Sequence, residues 1–150
     1  MRRIPALAVA LCLAVVSTVH AAEGMRTIAS EHDVATTADR LVNALKDKGM
    51  TVFARIDHAA GAKRAGLTLA PTELVIFGNP KVGTRLMQCA RSTAIDLPMK
   101  MLVWKNDSGV HIGYNTPEYL AERHGIEGCD QVLEKVGNAL DAFARAGAGE

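Results

Sequence analysis

The sequence predicts an α+β fold: a single sheet of about four to five strands with helices packed on it as a two-layer sandwich. Three observations lead there. Strand-like and helix-like segments alternate along the chain before it ends in two helices. The strand-like segments are short runs dense in β-branched and aromatic residues, such as MTVFARIDH, TELVIFG and MKMLVWK. The helix-like segments carry apolar residues at three- and four-residue spacing. With 150 residues, 49% of them apolar and 22% charged, the composition suits one globular domain with one core.

The first segment, MRRIPALAVALCLAVVSTVHAAEG, opens on Arg2 and Arg3, continues apolar from Ile4 to Val19 and closes on small residues. That three-part pattern is a secretory signal peptide, with cleavage expected after Ala21 or Ala22. The apolar run is shorter than the roughly 20 residues that span a bilayer, and Leu11 stands before Cys12 where a lipoprotein signal needs a small residue. Residues 1–21 are therefore expected to be removed, leaving residues 22–150 as one periplasmic or secreted domain with no integral membrane segment.

In the mature chain MRTIAS reads as a first strand. A helix follows, its buried face marked by Val34, Ala38, Leu41, Val42 and Leu45, with Asp33 capping its start and Gly49 ending it. MTVFARIDH is the second strand. Its alternation puts Arg55 and Asp57 on one face with Phe53, and His58 on the other with Ile56. AAGAKRAGLTLAP is a loop or short helix, and TELVIFG is a strong apolar strand. NPKVGTRLMQCARSTA is helical from about Lys81 to Arg91, with Pro80 in its first turn. MKMLVWK and VHIGYN form a hairpin about the NDSG turn. Thr116 caps a short helix that ends at Gly125, and a last helix carries the stripe Val132, Leu133, Val136, Leu140 and Phe143.

Charge excludes some functions. Removing Arg2 and Arg3 from 17 basic residues leaves 15 against 16 acidic ones, a net charge of −1 with histidines neutral. Nucleic acid and anionic membranes call for a basic surface, so neither is expected as a partner. Two cysteines survive cleavage, Cys89 and Cys129. An even pair in an exported chain is read first as a disulfide, with two separately buried thiols as the alternative. There is no Cys-x-x-Cys motif, no paired-histidine spacing and no other metal signature, so no cofactor or metal is expected.

The middle of the chain, GMTVFARIDHAAGAKRAGLTLAPTELVIFGNPKVGTRLMQ followed by AIDLPMKMLVWKNDSGVHIGYNTPEYLAERHGI, resembles the domain of unknown function 302 family. The match covers most of the mature chain, from about Leu41 to the final helix, and carries several irregular motifs in order. The resemblance implies a small α+β domain, often exported and able to dimerise, with no established reaction. The family's recurring polar positions fall on Arg55, Asp57, His58, Asn79, Pro80, Asp96, Lys100, Trp104, Tyr114 and Asn115. Arg85, Ala70 and the two cysteines depart from the pattern, which argues against a family-wide cysteine mechanism.

The segment between His58 and TELVIFG is just long enough for a crossover between parallel strands. Parallel strands would bring Asp57 and His58 to one sheet edge with Gly78 and Asn79, where ligands favour the strand ends. Asp96 would approach that edge from the next strand. The expected ligand site is thus a crevice of Arg55, Asp57, His58, Asn79, Lys81, Asp96, Lys100 and Tyr114, with Trp104 and Tyr114 as an apolar wall. GNPKVGT has its two glycines at phosphate-loop separation, but Thr84 stands where the lysine should follow, so at most a weaker anion site on the helix start is expected.

Three functions compete. The first is a binding domain for a small molecule, anionic in the reading that uses Arg55 and Lys100. The second is a structural or homodimeric interaction module in which these polar groups pair with one another. The third is an enzyme using Asp57 or His58 for proton transfer. No Gly-x-Ser-x-Gly nucleophile elbow supports catalysis, and binding ranks first.

Overall fold

In the computed structural model, residues 23–150 are described; the expected signal peptide lies outside them. Five strands form one sheet: β1 (Met25–Ser30), β2 (Thr51–Asp57), β3 (Thr72–Gly78), β4 (Met99–Asn106) and β5 (Gly109–Asn115). Five helices accompany them: α1 (Val34–Asp47), α2 (His58–Arg64), α3 (Pro80–Cys89), α4 (Pro117–His124) and α5 (Asp130–Ala148). A 3-10 turn, Arg91–Ile95, follows α3. The α+β class and the single five-stranded sheet agree with the sequence reading.

The strand order is β1-β5-β4-β3-β2, and every neighbouring pair is antiparallel. This corrects the parallel pairing expected of β2 and β3. The connection between them is spent on α2 and a loop, and the chain simply returns alongside β2. Asp57 pairs in register with Glu73, whereas Gly78 pairs with Thr51 at the far end. Six steps of strand therefore separate Asp57 from Gly78, about 20 Å.

Helices start where their caps allow. Asp33 accepts the Thr36 amide at 2.7 Å to open α1, and Thr116 accepts the Tyr119 amide at 3.2 Å to open α4. Gly125 closes α4 at φ 59°, a left-handed conformation that side chains disfavour. The α3 helix is shorter than its periodicity suggests, because Ala90 turns extended and the chain tightens into the 3-10 turn.

Antiparallel register decides what each strand side chain does. Val75, Phe77, Met101, Val103, Ile112 and Tyr114 share the face covered by α1 and α5, and all are buried. They meet Leu41 and Leu45 of α1 and Leu140 and Phe143 of α5. Phe77 and Phe143 lie edge to face, with centroids 6.0 Å apart. Each such side chain contributes about 1.5–3 kcal/mol by leaving water. The α5 helix comes close because Gly147 has no side chain: a Cβ there would sit 3.1 Å from Ile112 and 3.2 Å from Leu41. The opposite sheet face carries Ile56, Leu74 and Leu102 as one row across β2, β3 and β4, with Ile76 and Trp104 beside it.

Candidate functional site

The polar residues expected to line one crevice are dispersed by this topology, and most are engaged locally. Arg55 does not pair with Asp57. Its guanidinium donates to Glu73 on β3 and to Asp39 on α1, and reaches the Ala35 carbonyl at 3.3 Å. The hydrogen bond to Glu73, opposed in part by burial and helped by Asp39, raises the Arg55 pKa above its ordinary value. Asp57 is the N-cap of α2, accepting the Ala60 amide at 2.8 Å. His58 is the exposed first residue of that helix. The strand has already ended there, so its alternation no longer applies.

The remaining candidates stand elsewhere. Asp96 accepts from Arg123 Nε at 3.0 Å and bonds His124 Nε2 at 2.6 Å, tying the end of α4 to the 3-10 turn; His124 Nδ1 bonds Ser92 Oγ at 3.0 Å. Lys100 donates to the carbonyls of Asp96 at 2.7 Å and Pro98 at 2.9 Å. Tyr114 is buried on the helix-covered face, and that burial raises its pKa. Trp104 is on the other face, packed on His111 with centroids 5.5 Å apart and lying over Gly113. The two aromatics therefore cannot form one wall. Lys81 is exposed on α3, and its backbone amide is already taken by the Asn79 side chain at 3.0 Å. Cys89 and Cys129 are joined in a disulfide, with their Cα atoms 6.4 Å apart.

What the structure does build is an apolar groove of about 880 Å³ at the other end of β2 and β3. Its floor is the end of the core, Phe77, Leu86, Val136, Leu140 and Phe143. One wall is α3, which presents Val82, Leu86 and Met87; the other is α5, which turns its small residues Ala139, Ala142 and Ala146 toward the opening. Met50, Phe53, Leu97, Pro98 and Met99 close the end. The shape follows from the sequence locally. Strand β2 shifts register between Val52 and Ala54, a bulge that brings Phe53 to the rim, where it is 55% exposed. The three alanines leave unfilled the space that larger side chains would occupy.

Few polar groups reach the groove: Asn79 and Thr84 on the α3 side, and Asp47, Lys48 and Lys135 on the α1 and α5 side. Of the residues expected from sequence, only Asn79 lies here. Sequence reasoning missed the groove; the signals that could have suggested it are the apolar Val82 near the start of α3 and the alanines at 139, 142 and 146 beside the leucine stripe. Among the described residues, no group of three or more His, Cys, Asp or Glu side chains gathers in a way that could hold a metal ion.

The chain belongs to the family described as Domain of unknown function DUF302, whose model matches residues 26–143. It is similar to the protein named Fluoride-specific ion channel FluC 1 of Brucella suis biovar 1 (strain 1330), with 51% identity over 104 residues. The matched stretch is 69% of this chain and 41% of that protein. It is also similar to Fluoride-specific ion channel FluC 2 of Brucella melitensis biotype 1, at the same identity and 38% of that protein. The chain thus spans about two-fifths of the length of these relatives. A crystal structure of an uncharacterized conserved DUF302 protein from Bacillus stearothermophilus superimposes with a TM-score of 0.75 at 20% identity, over 83% of this chain and 98% of that one. It shares the fold. No helix among the described residues is long and apolar enough to cross a membrane.

Proposed function

We propose that this member of the DUF302 family is an exported module that holds a small, mostly apolar molecule in the groove between α3 and α5. The single observation that carries the reading is the groove itself. At about 880 Å³ it falls in the size range of small-molecule sites, it is lined mainly by aliphatic and aromatic side chains, and only a few polar groups stand at its rim. Water in such a space makes few hydrogen bonds, so an apolar ligand displaces it favourably. Lys48 and Lys135 outnumber Asp47 at the rim, which suits an acidic head on an apolar body, as in a long-chain carboxylate. Export is supported by the N-terminal sequence pattern and by the disulfide, which persists in oxidising compartments.

The test is a fluorescence titration of the mature protein with 11-(dansylamino)undecanoic acid, an alkyl carboxylate probe. Micromolar binding is expected, with at least a tenfold loss in Ala139→Trp, where an indole occupies the opening; that factor is about 1.4 kcal/mol. No binding, or equal binding by the variant, rejects the groove as the site.

A second reading rests on the open sheet face. Ile56, 39% exposed, lies in a row with Leu74 and Leu102, and Ile76 and Trp104 extend the apolar surface. Such a face is suited to an isologous contact with a second copy. Sedimentation velocity of wild type and Leu102→Lys distinguishes a dimer made by this face from a monomer. A monomer in both rejects it.

A further inference from the structure

We infer that the Cys89–Cys129 disulfide is a redox-sensitive clamp on the groove: a dithiol reductant opens it and releases α3 from α5. The effect on a ligand rests on the binding function proposed above; the effect on α3 does not.

The placement carries the inference. Cys89 is the last residue of α3, and Cys129 immediately precedes α5, so the bond joins the two helices that wall the groove. Helix α3 has little else to hold it there. Leu86 is its only buried residue, while Lys81, Val82, Thr84, Arg85 and Gln88 are exposed. Its two ends are anchored, by the Asn79 cap after β3 and by the buried Thr93 of the 3-10 turn. Between those anchors, Leu86 and the disulfide set how closely the helix approaches α5.

The bond is also within reach of a reductant. Both cysteines are half-buried and line a surface depression of about 380 Å³ with Arg85, Gln88, Gly128 and Gln131. A thiolate of the dithiol attacks one sulfur, forming a mixed disulfide and releasing the other cysteine as a thiol once it takes up a proton. The reductant's second thiol then displaces the first cysteine. Two electrons and two protons have passed to the protein, and the reductant leaves as its own disulfide. Reduction costs the helix wall its covalent link to α5 without removing any residue from the groove.

The experiment compares the oxidised mature protein, the same protein reduced with dithiothreitol, and the Cys89→Ser/Cys129→Ser double variant. Hydrogen exchange over the first minute and titration with 11-(dansylamino)undecanoic acid are read on each. Expected are at least tenfold faster exchange of the Lys81–Cys89 amides in both bond-free forms, continued protection of β3 and β4 at those times, and at least a threefold change in probe Kd. Protection of α3 that does not depend on the bond overturns the inference. So does loss of protection by α3 and the strands together, which makes the bond a general staple. Equal probe affinity with and without the bond overturns it too. A loosened α3 with no probe bound in any form rejects the proposed ligand function and leaves the clamp standing.

Discussion

Strands β2 and β3 carry two very different regions, one at each end. At the Asp57 end the side chains are polar and already matched: Arg55 to Glu73 and Asp39, Asp57 to the start of α2. At the Gly78 end they are apolar and leave a groove of about 880 Å³. The first region has the residue types of an active site, and they are engaged with one another and with a helix start; the second has the concavity and few reactive groups. Polar side chains close in sequence tend to satisfy one another, because an unpaired charge in a partly buried place is costly. Unfilled apolar volume is the rarer feature, since interiors otherwise close to crystal-like density. It is the better guide here.

The largest expected effect lies at the groove end. Removing the disulfide that closes a 40-residue separation should lower stability by about 4 kcal/mol, through the entropy returned to the unfolded chain. Urea denaturation with and without dithiothreitol measures it. A change below about 1 kcal/mol would mean that the folded state bears strain equal to the entropic gain, and the groove end would then owe its order to packing alone.

At the polar end, Arg55→Leu should cost about 1–2 kcal/mol. Most of this comes from stranding Glu73, whose side chain is only 12% exposed; Asp39, at 65%, is well solvated and contributes little. Adding Glu73→Leu should recover most of the loss. Probe binding in the groove should be unchanged in both variants. If Arg55→Leu abolishes binding while the fold persists, the two regions are one site after all, and the comparison fails.

The two caps refine the contrast. Asp57→Ala and Asn79→Ala each remove a side chain that accepts a helix amide, and each should cost about 1 kcal/mol by thermal or urea denaturation. Only Asn79→Ala touches a groove wall, at the start of α3. It should weaken probe binding several-fold, where Asp57→Ala leaves it unaltered. Equal effects on binding would show that the caps act through overall stability.

Much of the fold was legible because its signals are local. Asp33, Thr116 and Gly125 mark helix ends by their own chemistry, and the leucine and valine stripes of α1 and α5 repeat at helical spacing. The direction of β3 relative to β2 was not legible. Nothing in HAAGAKRAGLTLAP distinguishes a crossover from a return, and one wrong direction moved Asn79 by a strand length. Trp104 and Tyr114 show the same limit at shorter range: the hairpin is plain, but its register puts the two rings on opposite faces. The groove was least legible, because it is made of contributions from α1, α3, α5 and three strands. Alanines 139, 142 and 146 acquire meaning only once α5 has a neighbour to stand away from.

The smallest expected effect concerns the element that touches both regions. Helix α1 brings Asp39 to Arg55 and Ala44 to the groove, and Asp33 caps it. The hydrogen bond from the Thr36 amide lowers the Asp33 pKa from its ordinary value of 3.8. A lowered carboxyl pKa adds stability that is complete above 3.8 and is lost as the pH falls through the lower folded value. The effect is confined to that acid range, and Asp33→Asn, which keeps an accepting oxygen, should remove this part of the acid limb while leaving neutral-pH stability nearly unaltered. Stability measured by urea from pH 2.5 to 6 would show the difference. Because α1 serves both ends of the strand pair, protonating its cap should loosen Arg55's surroundings and the groove to similar degrees.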